Sequence, residues 1–339
     1  MPGAKPPVDP LPEHDPRLAA HLQAPTGCTG RLGRGAGKSY YLVALIRSNG
    51  AASAANGLGS AKTVLDGPGA RRNPMLSDVE LQHYQTFGFV MLQDLFSPAE
   101  VEQLRAEYES ELDHVYAHAP FTGQRRYWTM MLHPRTPLFS SLLEDPRFSS
   151  VAQQLYGEDV IGIGTDANRY VGDTGWHPDH GPDPAQDCYG VKFAFYLDPV
   201  DGFSGALRLI PGSHVRPFHE QLRGSLQSMG LDVAQIPAHV CNSNPGDVVA
   251  FDMRCWHASH GGAQGRRMCT CVYYSNPAGE AAEAATRKRA ASSRDTATAF
   301  GRPGQPVYPT EWLQNPLGSS QRQRWLQRME QLGYFELPA

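Results

Sequence analysis

The chain has 339 residues, 40% of them hydrophobic, which suffices for one large globular domain or two small ones. Its formal net charge of -4 argues against a dedicated nucleic-acid-binding protein, because such proteins carry a marked basic excess. No apolar run reaches about 18 residues, so we expect no membrane span, and the first residues lack the apolar core of a secretory signal. The six cysteines form no C-x-x-C pair, which favours free thiols in a reducing compartment.

The N-terminal part of the chain differs in composition from the rest. Residues 1–75 are rich in Gly, Ala, Pro and Ser, and the stretch 17–65 contains no acidic residue. Such a segment buries too little apolar surface to offset its chain entropy, so we predict a disordered or low-complexity extension. The segment is an organellar transit segment, a plain extension or a misassigned gene start. The predicted location of the protein is organellar in the first case and cytoplasmic in the other two. Gly33–Ser39 resembles a phosphate-binding loop, but Leu32 stands where its first glycine is required, and we reject it.

Helical signals dominate the next part of the chain. Ser77–Glu80 and Ser97–Glu100 both show the S-x-x-E pattern of a capping box. Apolar residues then recur at helical spacing between residues 101 and 115, which predicts one buried face. Residues 87–95 are predicted to form a strand between these helices, and residues 136–157 two short helices.

From residue 160 the apolar period changes to two, which indicates short strands separated by turns. Helices followed by an antiparallel β body predict a mainly β fold with flanking helices, of the barrel or jelly-roll type. Residues 279–306 are predicted to be a loose, charged tail, and residues 319–333 a closing helix. The predicted strands are 160–171, 189–198, 205–213, 247–252 and 268–275.

The stretch TGWHPDHGPD, residues 174–183, places several polar side chains in the middle of the chain. His177 and Asp179 are two residues apart, so they share one face of an extended segment. An imidazole and a carboxylate placed in this way can bind one metal ion. The motif alone is weak, because thirteen histidines make a chance H-x-D unremarkable and a polar loop would explain it.

A third residue strengthens the metal interpretation. His257 follows a strand of buried character in GDVVAFDMRCWHASHGG. Two histidines and one carboxylate form the facial triad of non-haem Fe(II) oxygenases, which leaves three coordination positions open. A zinc hydrolase can use the same ligand types, so the triad alone does not identify the metal.

Two arginines, Arg266 and Arg267, stand at the start of the last strand, nine and ten residues after His257. A guanidinium group binds a carboxylate in a bidentate geometry that lysine cannot match. If the metal chelates one end of a 2-oxo diacid, one of these arginines can hold the other end. Two solvated arginines beside a turn are the alternative.

At these positions the chain resembles the phytanoyl-CoA dioxygenase family of Fe(II)/2-oxoglutarate-dependent oxygenases. The matching stretches are GFVMLQDLFSPAEVEQL, WHPDH, FYLDPVDGFSGALRLIPGSH, GDVVAFDMRCWHASHGG and RRMCTCVYYSNP, in family order. The resemblance covers roughly residues 76–277 and implies a double-stranded β-helix, a cupin-like jelly roll, flanked by helices. We assign residues 76–339, with the closing helix, to one dioxygenase domain. The resemblance places the metal ligands on His177, Asp179 and His257, and the 2-oxoglutarate arginine on Arg266, with Arg267 as the reserve.

The resemblance also implies an activity. The enzyme would use Fe(II), 2-oxoglutarate and O2, with ascorbate as a candidate stimulant, and would release succinate and CO2. Related halogenases lack the carboxylate ligand, so Asp179 favours hydroxylation of an unactivated C–H bond. A small-molecule or acyl-type substrate is expected, whereas the oligomeric state is not indicated. Two other classes remain open: a catalytically silent β-barrel that binds a ligand, and a zinc-dependent hydrolase.

Several further polar residues are weaker candidates. Asn168 and Tyr170 lie on a strand expected to face the same cavity, where a cosubstrate contact and a core or rim position are both open. Lys192 lies in an apolar strand, so its ammonium group needs a partner or water. His180 and His260 are expected outside the ligand set. Substrate specificity should depend on loops around the mouth, for which the candidate segments are 116–137 and the region after residue 279.

Overall fold

The computed structural model describes residues 74–181, 189–262 and 265–336. The predicted extension, residues 1–75, lies outside the described residues except for its last two, and so does the stretch Gly33–Ser39. The runs of period-two apolar residues form β-strands, as predicted. The strands are β1 (Phe89–Leu92), β2 (Tyr127–Met130), β3 (Ile161–Tyr170), β4 (Thr174–His177), β5 (Gly190–Tyr196), β6 (Leu207–Leu209), β7 (His239–Cys241), β8 (Val248–Asp252), β9 (His257–Ser259) and β10 (Arg266–Tyr274).

The described strands form two sheets. The larger sheet has the order β1-β8-β5-β10-β3-β2, and the smaller one the order β4-β9-β6-β7. Neighbouring strands are antiparallel in both sheets. From β3 onward the chain passes back and forth between the sheets, with β3, β5, β8 and β10 in the larger sheet and β4, β6, β7 and β9 in the smaller. This alternation is that of a double-stranded β-helix, so the predicted jelly-roll fold is confirmed.

The larger sheet separates two apolar cores, because successive side chains of a strand point to opposite faces. Tyr196 and Phe251 belong to the core between the two sheets, together with Leu209 of the smaller sheet. Phe193 and Cys271 belong to the core on the opposite face, which is formed with the helices. Polar side chains on the inner face therefore lie in the space between the sheets.

Helices contribute most of the second core. Both predicted capping boxes are present, with the backbone and side-chain hydrogen bonds between Ser77 and Glu80 and between Ser97 and Glu100. The predicted closing helix is present too, with Trp325 and Met329 buried. The helices are α1 (Asp78–Phe87), α2 (Pro98–Val115), α3 (Pro137–Leu142), α4 (Pro146–Tyr156), α5 (Phe218–Ser228), α6 (Glu280–Ser293), α7 (Thr296–Ala299), α8 (Thr310–Leu313) and α9 (Ser320–Gln331), with a 3-10 turn at Val233–Gln235.

Two segments differ from the sequence predictions. Residues 116–137, predicted to be a loop, contain β2, which pairs with β3. A strand of four residues is too short to display a clear period of two. Residues 279–306, predicted to be a loose tail, contain α6, whose buried residues are Ala282, Thr286 and Ala290. Because these side chains are small or polar, the helix shows almost no apolar periodicity.

The described cysteines are buried and unpaired, as predicted: Cys241, Cys255, Cys269 and Cys271. Burial raises the pKa of each of these thiols, so they stay protonated and poorly nucleophilic. Among the described helices, none combines the length and the apolar character needed to cross a bilayer.

Candidate metal centre

The two histidines predicted as metal ligands lie opposite each other on neighbouring strands of the smaller sheet. His177 ends β4, His257 begins β9, and the two are register partners. The centroids of their rings are 4.3 Å apart. Asp179 follows β4, and its backbone N–H donates to the carbonyl of Met253 at 2.9 Å, which holds this loop close to the start of β9. The fold thus brings together three residues from distant parts of the chain.

The three side chains converge on one point. Nε2 of His257 is 3.7 Å from Oδ2 of Asp179, and Nε2 of His177 is 4.0 Å from Oδ1. The three candidate ligand atoms all lie within 4.8 Å of one another. Two bonds of about 2.0–2.2 Å to one ion span at most about 4.4 Å, so each imidazole can share an ion with the carboxylate.

Backbone hydrogen bonds orient both imidazoles. Nδ1 of His177 is 2.8 Å from the carbonyl oxygen of Gly175, and Nδ1 of His257 is 2.9 Å from that of Cys255. A carbonyl oxygen only accepts hydrogen bonds, so Nδ1 carries the proton in each ring and Nε2 keeps its lone pair. This lone pair is the one that a metal needs, and metal-binding histidines are commonly oriented by such contacts.

Burial and neighbouring charges favour the protonation states that bind metal. Burial lowers the pKa of His257 to about 4, so this imidazole is neutral near pH 7. Burial by itself would raise the pKa of Asp179, but Lys192 and the two imidazoles outweigh it and hold this pKa well below its usual range. Nζ of Lys192 donates to Oδ2 of Asp179 at 2.7 Å. This contact is the partner that Lys192 needs in its apolar strand.

The two arginines of β10 have different surroundings. Nη2 of Arg266 donates to Oγ of Ser259 at 3.1 Å, whereas Nε and Nη1 are buried without an acceptor in the described part of the chain. Arg267 instead donates to Asp198 at 2.8 Å and to Glu109 at 3.0 Å, and it does not line the cavity of the triad. Of the two, Arg266 is therefore the one that lines the cavity and has guanidinium nitrogens without an acceptor in the described part of the chain, whereas the reserve candidate Arg267 is engaged elsewhere.

Asn168 and Tyr170 line the same cavity as the triad. Nδ2 of Asn168 donates to Asp166 at 2.7 Å, and its Oδ1 accepts from Nε of Arg126 at 3.0 Å. The ring of Tyr170 lies 4.0 Å from Cζ of Arg126 and 4.9 Å from Cζ of Arg266, within the range of cation–π contacts. Both residues contact the arginines of the cavity, and a direct contact with a cosubstrate stays a prediction.

The cavity has a volume of about 140 Å³ and contains the triad and Arg266. Its lining also includes Asp166 and Ser259, which were not predicted from the sequence, and Arg126, which belongs to the segment 116–137 expected near the mouth. Ser259 lies two residues after His257, so the period of a strand was a signal that could have found it. Arg126 was expected only as part of the mouth segment, either for an anionic part of a substrate or as soluble surface, because it precedes a strand that the sequence did not reveal.

The other histidines near the motifs lie outside the ligand cluster, as expected. The ring of His180 is buried and makes an edge contact with Tyr274 at 4.8 Å. Nδ1 of His260 lies 2.8 Å from a carboxylate oxygen of Asp173. Neither residue belongs to the group whose donor atoms converge.

The fold and these residues define a class of protein. It is a double-stranded β-helix that carries two histidines and one carboxylate of the kind found in non-haem iron oxygenases. The model of one family, Phytanoyl-CoA dioxygenase (PhyH), matches residues 84–269, which is more than half of the chain. The chain belongs to this family, as its motifs predicted.

Individual relatives are more distant. An ectoine dioxygenase from Bordetella bronchiseptica is 29% identical over 155 residues, which cover 41% of this chain and 50% of the relative. A protein named dioxygenase sphC, from Aspergillus fumigatus, is 25% identical over 173 residues, which cover 42% of this chain and 46% of the relative. The chain therefore spans about half the length of the curated relatives it matches.

Solved structures with a similar chain path include two with a bound cosubstrate. HygX from Streptomyces hygroscopicus, with nickel and 2-oxoglutarate bound, is 19% identical with a TM-score of 0.49 and covers 59% of this chain and 88% of its own. EvdO2 from Micromonospora carbonacea var. aurantiaca, complexed with 2-oxoglutarate, is 24% identical with a TM-score of 0.46 and covers 61% of this chain and 94% of its own.

Proposed function

We propose that this protein is an Fe(II)- and 2-oxoglutarate-dependent oxygenase that hydroxylates an unactivated C–H bond of a small or lipid-like molecule. The observation that carries the proposal is the convergence of His177, Asp179 and His257 in one cavity with Arg266, which has no carboxylate partner among the residues that the structure describes. Membership of the phytanoyl-CoA dioxygenase family supports it, and so do the names of the two curated relatives, ectoine dioxygenase and dioxygenase sphC.

The donor set fits ferrous iron. Two neutral imidazoles and one carboxylate suit this ion, and three protein ligands leave positions for a 2-oxo acid and for O2. Iron and 2-oxoglutarate, when bound, supply the oxidative decarboxylation to succinate and CO2 that is coupled to oxidation of the substrate. The Nδ1 contacts of His177 and His257 keep their Nε2 atoms directed at the ion.

Arg266 would anchor the cosubstrate. Its Nη1, which has no acceptor in the described part of the chain, would donate to the distal carboxylate of 2-oxoglutarate, while Ser259 accepts from Nη2 and keeps the guanidinium plane oriented. A charge-assisted pair of this kind is strengthened where water is excluded. Tyr170, which packs beside the same guanidinium, limits the positions that Arg266 can take. Asn168 in turn accepts a hydrogen bond from Arg126, whose guanidinium also lies close to the Tyr170 ring.

The activity can be tested without knowing the substrate. The purified protein with Fe(II), ascorbate, O2 and 2-oxoglutarate should release succinate, because such enzymes turn over slowly without substrate. The release should be lost in His177→Ala and in Asp179→Ala, and it should be kept in His260→Ala, a matched control outside the cluster. Neither a zinc hydrolase nor a ligand-binding barrel would release succinate. Undiminished release from His177→Ala would refute the ligand assignment.

The arginine assignment has its own test. Arg266→Gln should raise the KM for 2-oxoglutarate at least about tenfold, because a charge-assisted hydrogen-bonded pair is lost. Arg267→Gln should change this KM by less than about twofold, since its guanidinium faces Asp198 and Glu109. The measurement is the initial rate of succinate release at varied 2-oxoglutarate. The same rise of KM in both variants would contradict the assignment.

A further inference from the structure

A second cavity lies beside β2, the edge strand of the larger sheet. Its volume is about 380 Å³, and it shares no lining residue with the cavity of the triad. The end of α2 and residues 301–309 form much of its wall. Its ionisable lining residues are arginines and histidines: His114, His118, His133, Arg135 and Arg302.

One of these arginines already has a counter-ion. Nε and Nη2 of Arg135 donate to the two carboxylate oxygens of Glu111 at 2.9 and 3.0 Å. Glu111 is fully buried, and one of its oxygens lies 3.5 Å from Nε2 of His133. Burial lowers the pKa of His133 in spite of Glu111, so its imidazole is mostly neutral. The exposed Glu311 acts on Arg135 and His133 through its charge, without a hydrogen bond.

Arg302 has no carboxylate partner in the described part of the chain. Only 8% of the residue is exposed, and its one side-chain hydrogen bond there runs from Nη1 to Oγ1 of Thr129 at 3.0 Å. Nε is buried without an acceptor, and the ring of Tyr116 lies 5.9 Å from Cζ. The buried Glu111 acts on Arg302 through its charge only, without a hydrogen bond to it in the described part of the chain. A buried guanidinium group with no carboxylate hydrogen-bonded to it is costly. Arg266 shows the same combination of burial, unpaired nitrogens and a cavity, and it is the residue expected to bind a carboxylate.

We propose that this second cavity binds a phosphate group that belongs to a small organic molecule. Arg302 supplies the positive charge, and the imidazoles of the lining add further donors, which suits an anion with several acceptor oxygens. The volume lies within the range of about 300–1,000 Å³ of small-molecule sites and exceeds what a single inorganic ion needs. Val115 and Val307 form an apolar part of the wall for the organic portion.

Titration calorimetry of the full chain tests this proposal. The probes are phenyl phosphate, inorganic phosphate and phenol, which serves as the control without a phosphate group. Phenyl phosphate should bind in a saturable way and more tightly than inorganic phosphate, and phenol should not bind. Arg302→Gln should weaken the binding of phenyl phosphate at least about tenfold. Arg216→Gln, which alters an exposed arginine paired with Glu220, should bind like the wild type.

Further variants separate this site from the cavity of the triad. Phenyl phosphate should still bind to Arg266→Gln and to Asp179→Ala. The result for the second cavity therefore does not depend on the proposed oxygenase activity. If Arg302→Gln fails to fold, His133→Gln should still weaken binding, by about threefold or more. No saturable binding of either phosphate probe to the wild type, or equal affinity in the wild type and Arg302→Gln, would overturn the proposal. Equal affinity for phenyl phosphate and inorganic phosphate would overturn the proposal that the phosphate belongs to an organic molecule.

Discussion

The guanidinium of Arg266 fits beside the triad because two neighbouring residues are glycines without a side chain. A Cβ atom added to Gly205 would lie 1.7 Å from Nη1 of Arg266, and one added to Gly262 would lie 1.8 Å from the same atom. Gly205 also has a φ of +94°, a conformation that side chains with a Cβ rarely adopt. The absence of a side chain at these two positions is therefore what leaves room for the arginine beside the triad.

Gly205→Ala should raise the KM for 2-oxoglutarate, because the added methyl group displaces the guanidinium of Arg266. We expect a rise of about tenfold, similar to that from removing the arginine. Gly202→Ala, three residues earlier, is the matched control, because its added Cβ would have no neighbour closer than 3.5 Å. Succinate assays give the KM, and thermal unfolding shows whether each variant is folded. An unchanged KM in a folded Gly205→Ala protein would contradict this account of the site.

Helix α2 begins with a cap that also joins two helices. The N–H of Ser97 donates to the carboxylate of Glu100 at 2.8 Å, and Oγ of Ser97 accepts from the N–H of Glu100 at 3.3 Å. The same carboxylate accepts from Nη2 of Arg147 in α4 at 2.7 Å. Loss of the cap should therefore affect the packing of α4 as well as the first turn of α2.

Ser97→Ala should lower the free energy of unfolding by about 1 kcal/mol, the usual cost of removing a capping side chain. Ser292→Ala, on the exposed side of α6, should change it by less than about 0.5 kcal/mol. Chemical denaturation followed by circular dichroism measures both. The KM for 2-oxoglutarate should be unchanged in either variant, since neither serine lines the cavity of the triad. Equal stability of the two variants would contradict the capping role.

Elements with a strong local signal were predictable from the sequence. The capping boxes depend on residues three apart, and the main strands on a period of two, so both patterns could be recognised without long-range information. The ligand triad was predicted from the H-x-D spacing and from a histidine that follows a buried strand, and the resemblance to a family placed the ligands on the same three residues. The orientations of Arg266 and Arg267 were not predictable, because a shift of one residue in a strand exchanges its two faces. The surroundings of Arg302 were not predictable either, since they combine a tail segment with the unpredicted strand β2.

On the scale of the whole molecule, buried histidines make the fold sensitive to acid. Burial holds their pKa values below the ordinary value of 6.5, and that of His257 falls to about 4. The unfolded chain therefore binds more protons than the folded protein between these values, so stability is fully present above about pH 6.5 and decreases as the pH falls. Carboxylates with a lowered pKa, such as Asp179, add to the loss only at lower pH. The histidines concerned are the buried His214, His219 and His257 and the half-buried His133.

The melting temperature of the metal-free protein, kept in a chelator, should fall between pH 7 and pH 5. His257→Gln should reduce this dependence, because it removes the histidine with the large shift. His260→Gln, which alters a partly exposed histidine beside Asp173, should leave the slope as in the wild type. Differential scanning calorimetry at several pH values gives the slopes. A melting temperature that stays constant over this range would refute the argument.

The position of β4 at the edge of the smaller sheet has a kinetic consequence. An edge strand has a hydrogen-bonded neighbour on one side only, and β4 is joined to β9 through just the pairs Thr174↔Ser259 and His177↔His257. Short elements of this kind fray ahead of global unfolding. When β4 frays, His177 departs while Asp179 stays bonded to Met253 and Lys192, so one of the three proposed ligands is lost in a single excursion. A metal ion should then both bind and dissociate when β4 opens, and the lifetime of the bound ion should follow the opening rate of this strand.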